Sequence, residues 1–253
     1  MKQVIRNNRN VLLSAISLFT FFFLWEISID IFNISKTVLI KPSEILISLK
    51  NNYDIILPEM YYSILEIVPG WAIGSLLGFV ISILIYRKEK TVNIFTSSSV
   101  IINAIPLIAL SAILGGIMGT DKDQKILLVS LIVFFPMFIT TLSSLRILDQ
   151  NHKDLLISYS ANPNQILFKV LIPKSLPLIL STLKVCAITA IFTAITAEFF
   201  GGYGGIGIFI LSKKGLYNLE LVWGAIFCIA IFGALFYTSL EVIQKKFVPW
   251  NNN

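Results

Sequence analysis

Residues 149–177 read DQNHKDLLISYSANPNQILFKVLIPKSLP, the longest polar interruption in an otherwise apolar chain. The stretch spells helix, turn, helix, stop. Leu148, Leu155, Leu156 and Tyr159 recur near one face at helical spacing, with Asp149, Lys153 and Asp154 mostly away from it. Ser160-Ala161-Asn162-Pro163 then breaks and restarts the chain. Asn162 is suited to cap the free amides of a new helix, and Pro163 to occupy its first position, where no N–H is needed. Ile166, Leu167, Val170 and Leu171 make a second apolar face, which Pro173 and Pro177 are expected to close. Two short amphipathic helices between hydrophobic spans would lie outside a bilayer and offer apolar side chains to a protein partner.

Working outward, 56% hydrophobic and 13% charged residues exclude an ordinary soluble domain. The apolar residues cluster in runs long enough for membrane helices of about 20 residues. The net charge of +6 is spread between these runs rather than gathered on a groove, so membrane orientation explains it better than nucleic acid. Cys186 and Cys228 lie in apolar runs, with no disulfide or metal spacing. Lys2, Arg6 and Arg9 precede an apolar run from Val11 with no small-residue cleavage site after it, which reads as a retained first span.

The expected spans are 11–32, 61–86, 92–118, 126–145, 178–198 and 219–243, giving an all-α polytopic membrane protein with six transmembrane helices in one domain, 1–253. Pro42-Ser43-Glu44 starts a short helix on the membrane surface. Gly70, Gly74 and Gly78 put a small-residue face on the second span, where another helix can approach closely. Glu66 in that span should face protein or water. Pro106 and Pro136 interrupt the third and fourth spans, and 201–207 reads as a flexible glycine connector.

Six spans place both termini on one side. Calling that side cytoplasmic collects Lys2, Arg6, Arg9, Arg87, Lys88, Lys90, Arg146, Lys153, Lys169, Lys174, Lys184, Lys245 and Lys246 there. The outer side keeps Lys36, Lys41, Lys50, Lys122, Lys125, Lys213 and Lys214, so the bias favours N-in, C-in.

Catalytic motifs are missing from the sequence. His152 reads as a solvated loop residue, and Gly202-x-Gly204-x-x-Gly207 lacks the preceding strand of a βαβ unit and lies between membrane spans on the outer side. No phosphate-binding loop of G-x-x-x-x-G-K-[ST] type occurs, so the chain itself binds no cofactor and ATP would need a separate subunit. Thr189, Thr193 and Glu198 fall close to one face at the end of the fifth span. Either they line a polar path, or Glu198 pins a subunit contact while the threonines bond their own backbone.

The interrupting loop resembles the E-A-A-x3-G-x9-I-x-L-P loop of bacterial ABC importer permeases. The matching residues are Asp154-Leu155-Leu156, Ser160, and Val170-x-Ile172-Pro173; spacing and final proline agree, while the alanines and glycine differ. Its flanks are Lys41-Pro42-Ser43-Glu44, Ala104-Ile105-Pro106-Leu107-Ile108-Ala109, Phe134-Phe135-Pro136, and Ala197-Glu198-Phe199-Phe200 leading to Gly205-Ile206-Gly207. In that order the chain resembles the nitrate/sulfonate/taurine branch, from about Thr37 to Trp250.

The resemblance implies a non-enzymatic permease subunit in the bacterial cytoplasmic (inner) membrane. It implies a homodimer in lipid, two ATP-binding-cassette ATPase subunits and an extracytoplasmic substrate-binding protein. The coupling loop would be about 149–173, with Asp154, Leu155, Leu156, Ser160, Val170, Ile172 and Pro173 as its contacts. Small anions (sulfonate, taurine, nitrate) or pyrimidine and riboflavin-type vitamin precursors are the implied solutes. A stand-alone secondary transporter or channel is the alternative.

Overall fold

The computed structural model describes residues 2–88, 92, 94, 97, 105–146, 154–156 and 158–251. These are helical, with no strand among the described residues. The helices are α1 (Lys2–Ile31), α2 (Pro42–Asn51), α3 (Tyr53–Ile85), α4 (Leu107–Met118), α5 (Lys122–Arg146), α6 (Pro163–Glu198), α7 (Ile206–Gly215) and α8 (Leu219–Phe247). By length and composition, α3, α5, α6 and α8 are each able to cross a membrane. α1 runs through the first expected span; of the third, the described residues are α4, 12 residues long, the residues 105 and 106 just before it, and the helical positions Val92, Ile94 and Ser97.

Several expectations are corrected. α4 begins after Pro106, whose ψ of 128° is extended, so this proline starts a helix instead of bending one. A first-turn proline loses no backbone bond, unlike one in mid-helix. Pro173 and Pro177 do not close the second loop helix. The chain runs on through a π-helical turn, Leu167–Leu171, into the spanning part of α6. A wider i→i+5 turn re-registers the backbone bonds just before Pro173, where its absent N–H falls in a helical first turn. The region beyond Glu198 also folds further than expected, since α7 begins at Ile206.

The chain packs as two compact units, Met1–Pro58 with Phe209–Cys228, and Glu59–Ile208 with Ile229–Asn253. In the first, Trp25 meets Trp223 edge-on at 5.2 Å. Glu26 and Asp30, at the end of α1, reach the start of α2: Ser43 Oγ donates to Glu26 Oε1 at 2.6 Å, and Lys41 pairs with Asp30 at 2.6 Å. Pro42 takes the first turn of α2, as the sequence predicts. The Glu44 carboxylate accepting from Lys36 holds that ammonium above the usual lysine range.

In the second unit, Ile67 of α3, Val129, Val133 and Met137 of α5, and Ile179, Cys186, Ala190 and Ala194 of α6 share one core. Where lipid removes the hydrophobic drive between helices, close approach of small residues supplies the contact. Gly70, Gly74 and Gly78 all face α5. A Cβ on Gly70 would lie 2.6 Å from Val129 Cβ, one on Gly78 2.7 Å from the Phe134 carbonyl, and one on Gly74 would meet the Ser130 carbonyl. The glycine face is thus occupied within the chain, by α5.

Candidate functional site: an anchored hairpin and a buried polar cluster

The described part of the hairpin starts at Asp154. Residues 147–153 and Ile157, including Leu148, Asp149, His152 and Lys153, lie outside the described residues, as do Glu89 and Lys90 of the basic turn. The first helix stops in a left-handed cap. Ser160 has φ +58°, and Ala161 N donates to the Leu156 carbonyl at 3.1 Å, the six-to-one bond of a Schellman motif. Ser160 occupies the position where the resembling loop carries glycine, and its backbone shows why glycine suits that position.

Asn162 then opens α6 with a full capping box. Its Oδ1 accepts from Gln165 N at 2.8 Å, and Gln165 Oε1 accepts from Asn162 N at 2.9 Å. Arg87, beyond the end of α3, donates through Nη2 to the Pro163 carbonyl and, at 3.3 Å, to Asn164 Oδ1. Nothing in the sequence singles out Arg87 for this anchoring, because its partners are a backbone carbonyl and a residue 77 positions away.

A small core of Leu145, Ile166, Leu167 and Leu171 gathers Ile83, Tyr86, Leu156, Ala161 and Ile172 around it. Leu156 therefore turns inward, because the Schellman stop folds Ala161 back over it. Leu155 (54% exposed), Tyr159 (78%) and Phe168 (61%) turn outward. Asp154 and Ser160 are exposed, while Val170, Ile172 and Pro173 are half-buried.

A second assembly lies at the other end of α6. Glu198 is fully buried; Ser63 Oγ donates to its Oε1 at 2.6 Å and Gly207 N donates to its Oε2. Ile206 N in turn donates to Ser63 Oγ at 2.8 Å, and Gly205 N donates to Glu59 Oε2 at 2.7 Å. Lys125 is buried against Glu66, Nζ to Oε1 3.3 Å, and also lies against Gly202. At that separation the pair attract without an aligned hydrogen bond, and both Glu66 oxygens lack a donor. The sequence placed Lys125 in an aqueous outer turn; it is instead an internal charge paired with Glu66, whose seclusion from lipid was expected.

Residues 201–207 are accordingly a fixed loop and not a slack connector. Gly201, Gly202 and Gly205 take φ of 124°, 143° and 120°, and carboxylates from α3 and α6 hold the backbone amides. Thr189, Thr193 and Thr196 bond the carbonyls four residues back, at 3.1, 2.8 and 2.7 Å. Thr193 is buried and Thr189 half-buried; neither hydroxyl meets Glu198.

A family model described as "Binding-protein-dependent transport system inner membrane component" matches residues 71–252. The chain belongs to this family. It is an inner-membrane, multi-pass permease component of the ABC importer type. Among relatives, a Bacillus subtilis (strain 168) protein named for aliphatic sulfonate transport, SsuC, is 26% identical over 235 residues, 91% of this chain and 84% of the relative. The formylaminopyrimidine transport permease ThiX of Halalkalibacterium halodurans is 25% identical over 181 residues, 72% of each chain. A chain of the MetNI methionine ABC transporter, in an inward-facing conformation, shares the fold at a TM-score of 0.66 and 17% identity, covering 78% of this chain and 98% of its own.

Proposed function

We propose that this permease forms the translocation pathway of an ATP-driven importer and works as a homodimer. Six spans with N-in, C-in topology would put the 149–173 hairpin in the cytoplasm, facing two ATPase subunits that bind the nucleotide. An extracytoplasmic binding protein would deliver the solute. The names of the relatives support a small anion such as a sulfonate or taurine, or a pyrimidine or riboflavin-type precursor.

The observation that carries this reading is the hairpin's division of labour. Leu156 and Ile172 pack inside it and Arg87 anchors its second leg, so Leu155, Tyr159 and Phe168 are held outward on a rigid base. Such pre-organised apolar anchors suit a groove on a partner. Asp154, Ser160, Val170 and Pro173 frame that face. Nucleotide-dependent closure of the ATPases would then tip the bundle between two packings of similar free energy.

The test is affinity purification of the tagged protein from its native host in mild detergent, with co-purifying chains quantified. One ATPase copy per permease is expected, lost on Leu155→Asp while Leu155→Met retains it. A permease recovered alone across several detergents would overturn the reading and favour a stand-alone transporter.

A further inference from the structure

Between α4, the start of α5 and the end of α6 lies a cavity of about 270 Å³, lined by Ser111, Ala112, Gly115, Gly116, Thr120, Gln124, Ala197 and Phe200. We propose that it is a binding site for the compact oxyanion head of a small solute, a waystation in the permease. This rests on the transport reading above.

The first support is a polar group without a partner. Ser111 is 2% exposed, and its hydroxyl makes no hydrogen bond. A buried hydroxyl left unpaired is destabilising, so it is a standing demand for a ligand atom. Gln124, also 2% exposed, donates through Nε2 to the Ser111 carbonyl at 3.2 Å and keeps its second N–H free for another acceptor. Thr120 adds a second hydroxyl on the wall.

The second support is the sign of the electrostatics. Gln124 belongs to the first turn of the 25-residue α5, whose unbonded amides and dipole favour negative charge. No carboxylate lines the cavity. Of the acids adjoining the lining segments in sequence, Glu198 accepts from Ser63 and Gly207, while Asp121 and Asp123 are exposed. Hydroxyl and amide donors at a helix start bind an acceptor-rich head without the desolvation cost of a buried countercharge. The rest of the lining is small or apolar. Ala112, Gly115, Gly116 and Ala197 leave the room, and Phe200 offers a ring to a short carbon chain. At Gly116 an added Cβ would meet nothing within 4 Å.

The experiment uses the full complex of permease, ATPase and binding protein in nanodiscs, nucleotide-free and ATP-trapped, with Cys186 and Cys228 replaced by Ala. Gly116→Cys is labelled with the anionic reagent 2-sulfonatoethyl methanethiosulfonate, with ethanesulfonate as competitor. The site predicts labelling slowed by about fivefold or more by ethanesulfonate in at least one nucleotide state, as occupancy dictates. It also predicts no slowing by choline chloride and loss of protection on adding Ser111→Ala. Absent labelling, or labelling indifferent to ethanesulfonate in both states, overturns the site. ATP-driven ethanesulfonate uptake by the unmodified complex is read separately. Uptake without protection sinks the site but keeps the transport reading; protection without ATP-driven ethanesulfonate uptake keeps the site and sinks the small-anion form of that reading.

Discussion

Lys125 and Glu66 face each other 3.3 Å apart with both side chains 1% exposed, an ion pair inside a protein whose surroundings are hydrocarbon. Removing one partner strands a buried charge, which costs about 3–5 kcal/mol, whereas replacing both with apolar groups of similar volume is often neutral. Lys125→Met alone is therefore expected to lower thermal stability in detergent sharply, and Lys125→Met with Glu66→Met to recover most of the loss. Additive losses in that double-mutant cycle would show that the two charges do not act as a pair.

Ser63 is a relay of hydrogen bonds, its hydroxyl accepting from the Ile206 amide and donating to Glu198 Oε1. Ser63→Ala leaves one buried donor and weakens one buried acceptor, at about 1–3 kcal/mol. Hydrogen exchange at the Ile206 and Gly207 amides should accelerate more than at mid-α6 amides; uniform acceleration would argue against a local relay.

Gly74→Ala drives a methyl into the Ser130 backbone, which cannot move as a side-chain tip can. It should lower the yield of folded protein and the unfolding temperature. Gly215→Ala, where the added carbon meets nothing within 4 Å, should be nearly silent. Equal effects at the two sites would contradict the α3–α5 contact.

Ser160→Gly relieves a left-handed φ at the hairpin stop and should stabilise it by about 1 kcal/mol, with Ser160→Val costing more than that gain. Slower exchange at the Ala161 amide in the glycine variant is the measurement.

The hairpin was legible because its signals are local. The Asn162-Pro163 restart and the face of Ile166, Leu167 and Leu171 are set by neighbours in the chain, and each is where the residues placed it. The inward turn of Leu156 was not legible, since it depends on a left-handed serine that sequence spacing does not reveal. Pro173 misled for a related reason: a π turn re-registers the bonds before it, so a residue that usually stops helices sits inside one. In the polar cluster Glu198 and Glu66 stood out as charges in apolar runs. Lys125, Ser63 and Glu59 did not, because their roles come from contacts across long separations, 135 residues for Ser63 and Glu198.

The capping box and Glu198 terminate one continuous helical run, re-registered once by the π turn at Leu167–Leu171. α6 runs for 36 residues from Pro163, roughly 54 Å at helical rise, from the apolar hairpin at one end to the clasped glycine loop at the other. A twist or thrust applied at Asn162 has a single backbone to travel along, and its far terminus grips Ser63 and Gly207. Under the proposed coupling, the hairpin that would meet the ATPase and the distant clasp are two ends of one helical run.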